Sequence, residues 1–399
     1  MTAGAHRFPL FDSLRALAAL SIVALHATLT TTLLHGLHLE SLKPYTDQLD
    51  VGVNIFFVIS GFLLYRPFAR ARLEGQRLPA VGAYAWRRFL RIAPAYWVAL
   101  TLITLWLSLP ERSAGYDIRL YSFRQIYSGE TARAGIPQAW TLCVEVTFYA
   151  FLPLFALAMR RVAAKSPKRW LTTELGALAL LVVFSVAYKA WALGQTDVNS
   201  PDAPKFLMPL PNFLDQFALG MALAVMSVAG EARLLRARAR DWVVRWQSAS
   251  WGFAFVALLA AGHWTSGAGV GGAAAVEGDV FPRHFLHAFI AVAVVLPAVL
   301  NGGDRSLVRR VLRNRILMWI GLISYSLYLW HMAVELKFAG RLGEPSTPLG
   351  SIGLLALMTV AAIAVAAISY YLVERPVLKL RSGPDQPHAA HAPSAPPAT

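Results

Sequence analysis

Five ionisable residues lie inside long apolar runs of this chain: Arg15, His26, Glu145, His331 and Glu335. Two more, Lys189 and Asp215, stand near the ends of such runs. A charged side chain at the centre of a membrane-spanning helix costs about 2.5–3.5 kcal/mol on insertion scales, so each needs a compensating partner or a function. Arg15 and His26 make the most informative pair. Eleven residues at 100° each give three turns plus about 20°, so both project from one helix face, about 16 Å apart along the axis. A cation able to meet phosphate, with an imidazole base beyond it, would suit a long anionic donor carrying a thioester. Structural readings stand beside this one. Arg15 can reach headgroups or pair with Asp12 one turn below, and His26 can be a neutral histidine hydrogen-bonded across helices.

Glu145, in WTLCVEVTFY, is placed to approach the depth of His26, where a carboxylate could orient an imidazole or accept a substrate hydroxyl. A buried structural ion pair is the alternative. His331 closes ISYSLYLWH, in which Ser324, Tyr325, Ser326 and Tyr328 supply hydroxyls for a polar cavity or for helix–helix hydrogen bonds. Arg88 and Arg91, one turn apart, suit either the phosphates of a donor or topology. The single cysteine, Cys143, lies among apolar residues and reads as inert packing. The chain has no Gly-rich phosphate loop followed by Lys and Ser/Thr, no Gly-x-Ser-x-Gly elbow and no His-Glu-x-x-His. No metal site is expected.

The elements that must carry these residues are membrane helices. Of 399 residues 56% are hydrophobic and only 15% charged, with mean hydropathy +0.49, far from a soluble domain. The spacing predicts an all-α polytopic bundle of about ten spans: 11–33, 51–68, 90–109, 138–159, 171–193, 210–228, 249–264, 283–300, 316–338 and 350–373. The first run is too long for a signal-peptide core and is expected to stay as a span. The net charge of +15 does not indicate nucleic acid, because the basic residues sit in short clusters between apolar runs. Those clusters follow the second, fourth, sixth and eighth spans, so both termini are expected on the cytoplasmic side of a cell membrane, the bacterial inner membrane above all. Residues 1–381 read as one membrane domain. Residues 382–399, rich in Pro and Ala, read as a disordered tail.

At these residues the sequence resembles the acyltransferase-3 family of membrane acyltransferases. FDSLRALAALSIVALH is similar to that family's first-helix signature, an Arg or Lys followed ten intervening residues later by His. GVNIFFVISGFLL, RRFLRIAPAYW, WTLCVEVTFYAFLP, GLISYSLYLWH and SYYLVERP resemble its later segments in order, over residues 11–376. Two positions depart from the pattern. Asn54 stands where an acidic residue is usual, and WTLCVE replaces a serine-rich form. The resemblance implies transfer of an acyl group, acetyl being expected, from acyl-CoA as co-substrate to a hydroxyl of a carbohydrate, glycolipid, cell-wall polymer or macrolide. No tightly bound cofactor is implied. Carried over residue by residue, Arg15 and His26 become the motif pair, Arg88 and Arg91 the Arg-x-x-Arg element, and Glu145 the glutamate.

The expected mechanism is direct transfer. His26 is the general base, Glu145 orients His26 or the acceptor, and Arg15, Arg88 and Arg91 hold the donor. Ser324, Tyr325 and His331 line the acceptor side, and the acyl group passes towards the outer face. The competing class is a secondary transporter or flippase, in which midplane ionisable groups mark a solute path. A catalytically silent polysaccharide-binding scaffold is the third.

Overall fold

Nine of the ten apolar runs each become one helix in the computed structural model of the chain, and the run 316–338 becomes two. The structure describes residues 10–30, 34, 37, 39–109, 113–162, 166–235, 246, 249–265, 277–299, 306–342 and 347–380. The predicted tail 382–399 and residues 31–33 of the first predicted span lie outside them. Among the described residues all regular structure is helical. The first five main helices are α1 (Leu10–Thr30), α2 (Val51–Leu73), α3 (Val81–Trp106), α4 (Trp140–Arg161) and α5 (Pro167–Leu193). They are followed by α6 (Leu214–Glu231), α7 (Ala249–Trp264), α8 (Val280–Val299), α9 (Ser324–Leu342) and α10 (Pro348–Ser369).

Seven helical stretches of the described residues are long and apolar enough to cross a membrane. The number is eight if the bent pair Arg315–Leu322 and Ser324–Arg341 is counted as one span. The chain is therefore a multi-pass helical bundle, with fewer full-length spans than the ten expected. The shortfall lies in α6, 18 residues long with acidic residues Asp215 and Glu231 at its ends, and in α7, 16 residues long.

Lipid tails are as apolar as leucine, so close backbone approach and side-chain packing hold such helices together. α2 and α6 pack most intimately. A Cβ on Gly61 would overlap the carbonyl oxygen of Phe217, and one on Gly220 would overlap that of Val58. Phe217 stacks on Phe57 and Phe148, with ring centroids 4.7 and 4.0 Å apart. At the far end of α2 the basic cluster ties helices together. Arg66 reaches Glu231 at 2.5 Å, Arg70 pairs with the same carboxylate, and Arg72 pairs with Glu174 while donating to the Val162 carbonyl at 2.9 Å. Charges read as topology signals thus also clamp the ends of α2, α4, α5 and α6.

Three irregularities shape the interior. The chain bends by 76° between the short helix Arg315–Leu322 and α9, where Gly321 lies so close to the Asp12 carbonyl that no Cβ fits. The Ser13 hydroxyl donates to the Leu312 carbonyl at 2.7 Å, fixing the start of α1 beside that bend. α10 ends in a π-helical turn, Tyr370–Glu374; such turns re-aim side chains. Lastly, the segment before α4 dips into the bundle. The Gln138 amide donates to the Tyr328 and Leu329 carbonyls at 2.9 and 3.2 Å, and the Tyr328 hydroxyl donates to the Gln138 carbonyl at 2.7 Å.

Candidate functional site

The bend, the π turn and the dipping segment meet around a cavity of about 520 Å³. α1 contributes Asp12 and Arg15, α3 contributes Arg88 and Arg91, and α4 contributes Glu145 and Tyr149. Ser60 of α2, Ser324, Tyr325 and Tyr328 of α9, Thr141 and Tyr370 add to its polar lining, and Phe11, Val53 and Leu63 form apolar walls. Seven residues singled out in the sequence therefore share one chamber: Arg15, Arg88, Arg91, Glu145, Ser324, Tyr325 and Tyr328.

The three cations are not equivalent. Arg91 pairs with the fully buried carboxylate of Glu374, which the π turn directs inward and which also accepts from the Ser326 hydroxyl at 3.2 Å. The Arg91 guanidinium lies 5.7 Å from the centre of the Tyr325 ring, whose hydroxyl donates to the Ile92 carbonyl at 2.8 Å. Arg15 stands 3.9 Å from Asp12, the one-turn pairing considered above. Arg88 has no ion pair or hydrogen bond among the described residues, and its Nε is buried. A guanidinium that lines a cavity without an ion pair of its own is suited to an anion from outside the chain.

Glu145 has its partners on α2 and α4. Its carboxylate accepts from the Ser60 hydroxyl at 2.8 Å and from the Tyr149 hydroxyl at 3.2 Å, rather than bonding His26. The cause is the dipping segment. α4 starts at the level of Tyr328, where the Thr141 and Tyr328 hydroxyls meet at 2.7 Å, so Glu145 lies one turn further, among the arginines.

His26 and His331 lie beyond the cavity and touch each other. His331 Nε2 is 3.1 Å from His26 Nδ1, and the ring centroids are 5.1 Å apart. His26 is partly exposed and His331 fully buried. Tyr328 forms the partition between the two regions. It lines the cavity, its ring is 5.9 Å from that of His331, and Phe56 meets its edge at 6.3 Å. The stripe Arg15–His26 thus runs from the cavity to the histidine pair behind Tyr328.

Other candidates fall elsewhere. Asp215 bonds His284 Nε2 at 2.6 Å and accepts from Ser185, and Lys189 lies 5.1 Å from the Phe213 ring centre, in a separate cluster. Asn54 donates to Gln216 Oε1 at 2.7 Å, an uncharged link between α2 and α6. Cys143 is buried. Glu335 is fully buried, with neither carboxyl oxygen hydrogen-bonded among the described residues. Sequence reasoning left Ser60, Tyr149 and Glu374 without roles. Tyr149 is signalled by its four-residue spacing from Glu145, and Glu374 by an acid within SYYLVERP; Ser60 carries no signal of its own.

A cationic chamber with a glutamate, backed by a histidine on the same helix, is the arrangement of the resemblance, and the family comparison decides the matter. The family described as "Acyltransferase domain", acyltransferase-3, matches residues 9–371. The chain belongs to it. Three relatives are similar over 93% of this chain. A Bacillus subtilis protein provisionally named a peptidoglycan O-acetyltransferase, YrhL, is 22% identical, and the chain covers 55% of it. The peptidoglycan O-acetyltransferase OatA of Listeria monocytogenes is 22% identical, with 56% covered. Nodulation protein 10 of Rhizobium leguminosarum is 27% identical, with 94% covered. The chain thus spans about half the length of the two peptidoglycan O-acetyltransferase relatives. No solved structure matches it.

Proposed function

We propose that this chain is an O-acyltransferase of the bacterial cell membrane, moving an acyl group, acetyl above all, from acyl-CoA to a carbohydrate hydroxyl. The observation that carries the reading is the charge in the cavity. Arg15, Arg88 and Arg91 face one chamber, Arg88 without a counter-ion among the described residues, and His26 stands on the Arg15 stripe behind its wall. The arginines hold the phosphates of the donor. Glu145, bonded to Ser60 and Tyr149, keeps those hydroxyls in place and balances the cationic charge. His26 takes the proton of the acceptor hydroxyl, the oxygen attacks the thioester carbonyl, the C–O bond forms and the C–S bond breaks. The proton then passes from His26 to the departing CoA thiolate. Tyr328 must yield, or the acyl end must pass beside it, for the two halves of the reaction to meet.

The names of the two peptidoglycan O-acetyltransferase relatives support a carbohydrate acceptor, with a glycolipid or macrolide as alternatives of the same chemistry. The basic clusters support an even number of spans, both termini cytoplasmic, and the arginine chamber opening to the cytoplasm, where acyl-CoA is made.

The test is thiol release. The full chain, purified into nanodiscs, is expected to release CoA thiol from acetyl-CoA only when an oligosaccharide acceptor is added. Acceptor-independent solute uptake into proteoliposomes, with no thiol released, would instead identify a transporter.

A further inference from the structure

The histidine pair carries more information than its distance. His331 Nδ1 lies 3.1 Å from the Leu327 carbonyl, and His26 Nδ1 lies 3.0 Å from the Ile22 carbonyl, in each case four residues back on the same helix. A carbonyl oxygen only accepts, so each Nδ1 bears the hydrogen. In the neutral ring the other nitrogen then holds the lone pair. The Nε2 lone pair of His331 therefore faces the Nδ1–H of His26 at 3.1 Å, and that hydrogen is shared between Ile22 O and His331 Nε2. With Nδ1 committed, the lone pair of His26 is on Nε2, on the far side of the ring from His331.

We propose that His331 is a positioning residue: a neutral imidazole that fixes the ring and tautomer of His26, leaving His26 Nε2 as the base. This rests on the reading of His26 above. A histidine base is usually oriented by a carboxylate. Glu145, the carboxylate the sequence offered for that task, is engaged with Ser60 and Tyr149. The group that meets His26 Nδ1 at 3.1 Å is the fully buried His331. When His26 Nε2 accepts the hydroxyl proton, the positive charge spreads over its ring and the Nδ1–H bond to His331 becomes charge-assisted and stronger. No proton need cross to His331, because its Nε2 only accepts. The pair thus carries one proton more during the reaction than at rest, and returns it to the thiolate. His331 contacts neither donor nor acceptor in this scheme, which differs from the acceptor-lining role expected from the sequence.

Variants of the full chain in nanodiscs, supplied with acetyl-CoA and an N-acetylglucosamine oligomer, test this. His331→Leu is expected to lower kcat by about 100-fold with the KM for acetyl-CoA changed less than about threefold. His331→Gln, which offers an amide oxygen as acceptor, is expected to recover to within about tenfold of the native rate. Equal losses in both variants would make the role structural and overturn the proposal. Native turnover by His331→Leu, with His26→Ala inactive, would overturn it while leaving the base in place. Activity retained by His26→Ala would instead overturn the reading of His26. A second measurement needs no variant. Nuclear magnetic resonance of nitrogen-labelled histidines in the native chain is expected to show both rings protonated on Nδ1; a hydrogen on Nε2 of neutral His331 would overturn the proposal whatever the kinetics.

Discussion

Arg88 and Arg91 are one helical turn apart, alike in the sequence, and unlike in the fold. Arg91 is neutralised by Glu374 and packed beside Tyr325; Arg88 has no such pairing among the described residues. Removing one member of a buried ion pair strands the other, at a cost of about 3–5 kcal/mol. Arg91→Ala and Glu374→Ala are therefore each expected to lower thermal stability by about that much, while Arg91→Leu with Glu374→Leu together recovers most of it. Unfolding followed by tryptophan fluorescence checks this, and an Arg91→Ala chain as stable as the native one would contradict it. The cost of ionisable groups in apolar runs made Arg15, His26, Glu145 and His331 visible before any coordinates. Their partners across helices were not visible: Ser60 reaches Glu145 from α2, and His26 and His331 meet from α1 and α9, and no spacing within one helix encodes that.

Helices were the most readable level. Every apolar run of the sequence is helical, and Pro inside α2, α3, α4 and α8 does not break them, as expected where neighbouring helices supply partners. The 76° bend before α9 and the π turn after α10 were not readable. The bend depends on Gly321 meeting the Asp12 backbone, and the turn forms beside the Arg91–Glu374 pair; both are tertiary causes. The α2–α6 seam makes a test of its own. Gly220→Val drives a branched side chain into the Val58 backbone, and overpacking of this kind costs about 1–3 kcal/mol or more. Because α2 carries Ser60 and Phe56 into the cavity, the variant is expected to lose donor binding as well as stability. Gly353→Ala, whose added Cβ meets no atom within 4 Å, is expected to be neutral or slightly stabilising. Equal behaviour of the two variants in thermal unfolding would contradict close packing at the seam.

For the molecule as a whole, the arrangement assigns two tasks to two depths of one bundle. The arginine chamber and the histidine pair share α1 and α9, and Tyr328 and Phe56 stand between them. Sequence periodicity placed Arg15 and His26 on one stripe, about 16 Å apart. It did not show that Glu145 belongs with the arginines, since that follows from how deeply the segment before α4 enters the bundle. If the chamber holds the donor and His26 serves the acceptor, binding and turnover must separate under mutation. The decisive measurement is equilibrium CoA binding and acceptor-dependent thiol release on one nanodisc preparation of the native, Arg88→Ala and His26→Ala chains. The expected result is CoA affinity lowered about tenfold or more in Arg88→Ala, and native affinity with thiol release lowered 10²–10⁴-fold in His26→Ala. Native CoA affinity in Arg88→Ala, or native thiol release in His26→Ala, would contradict it.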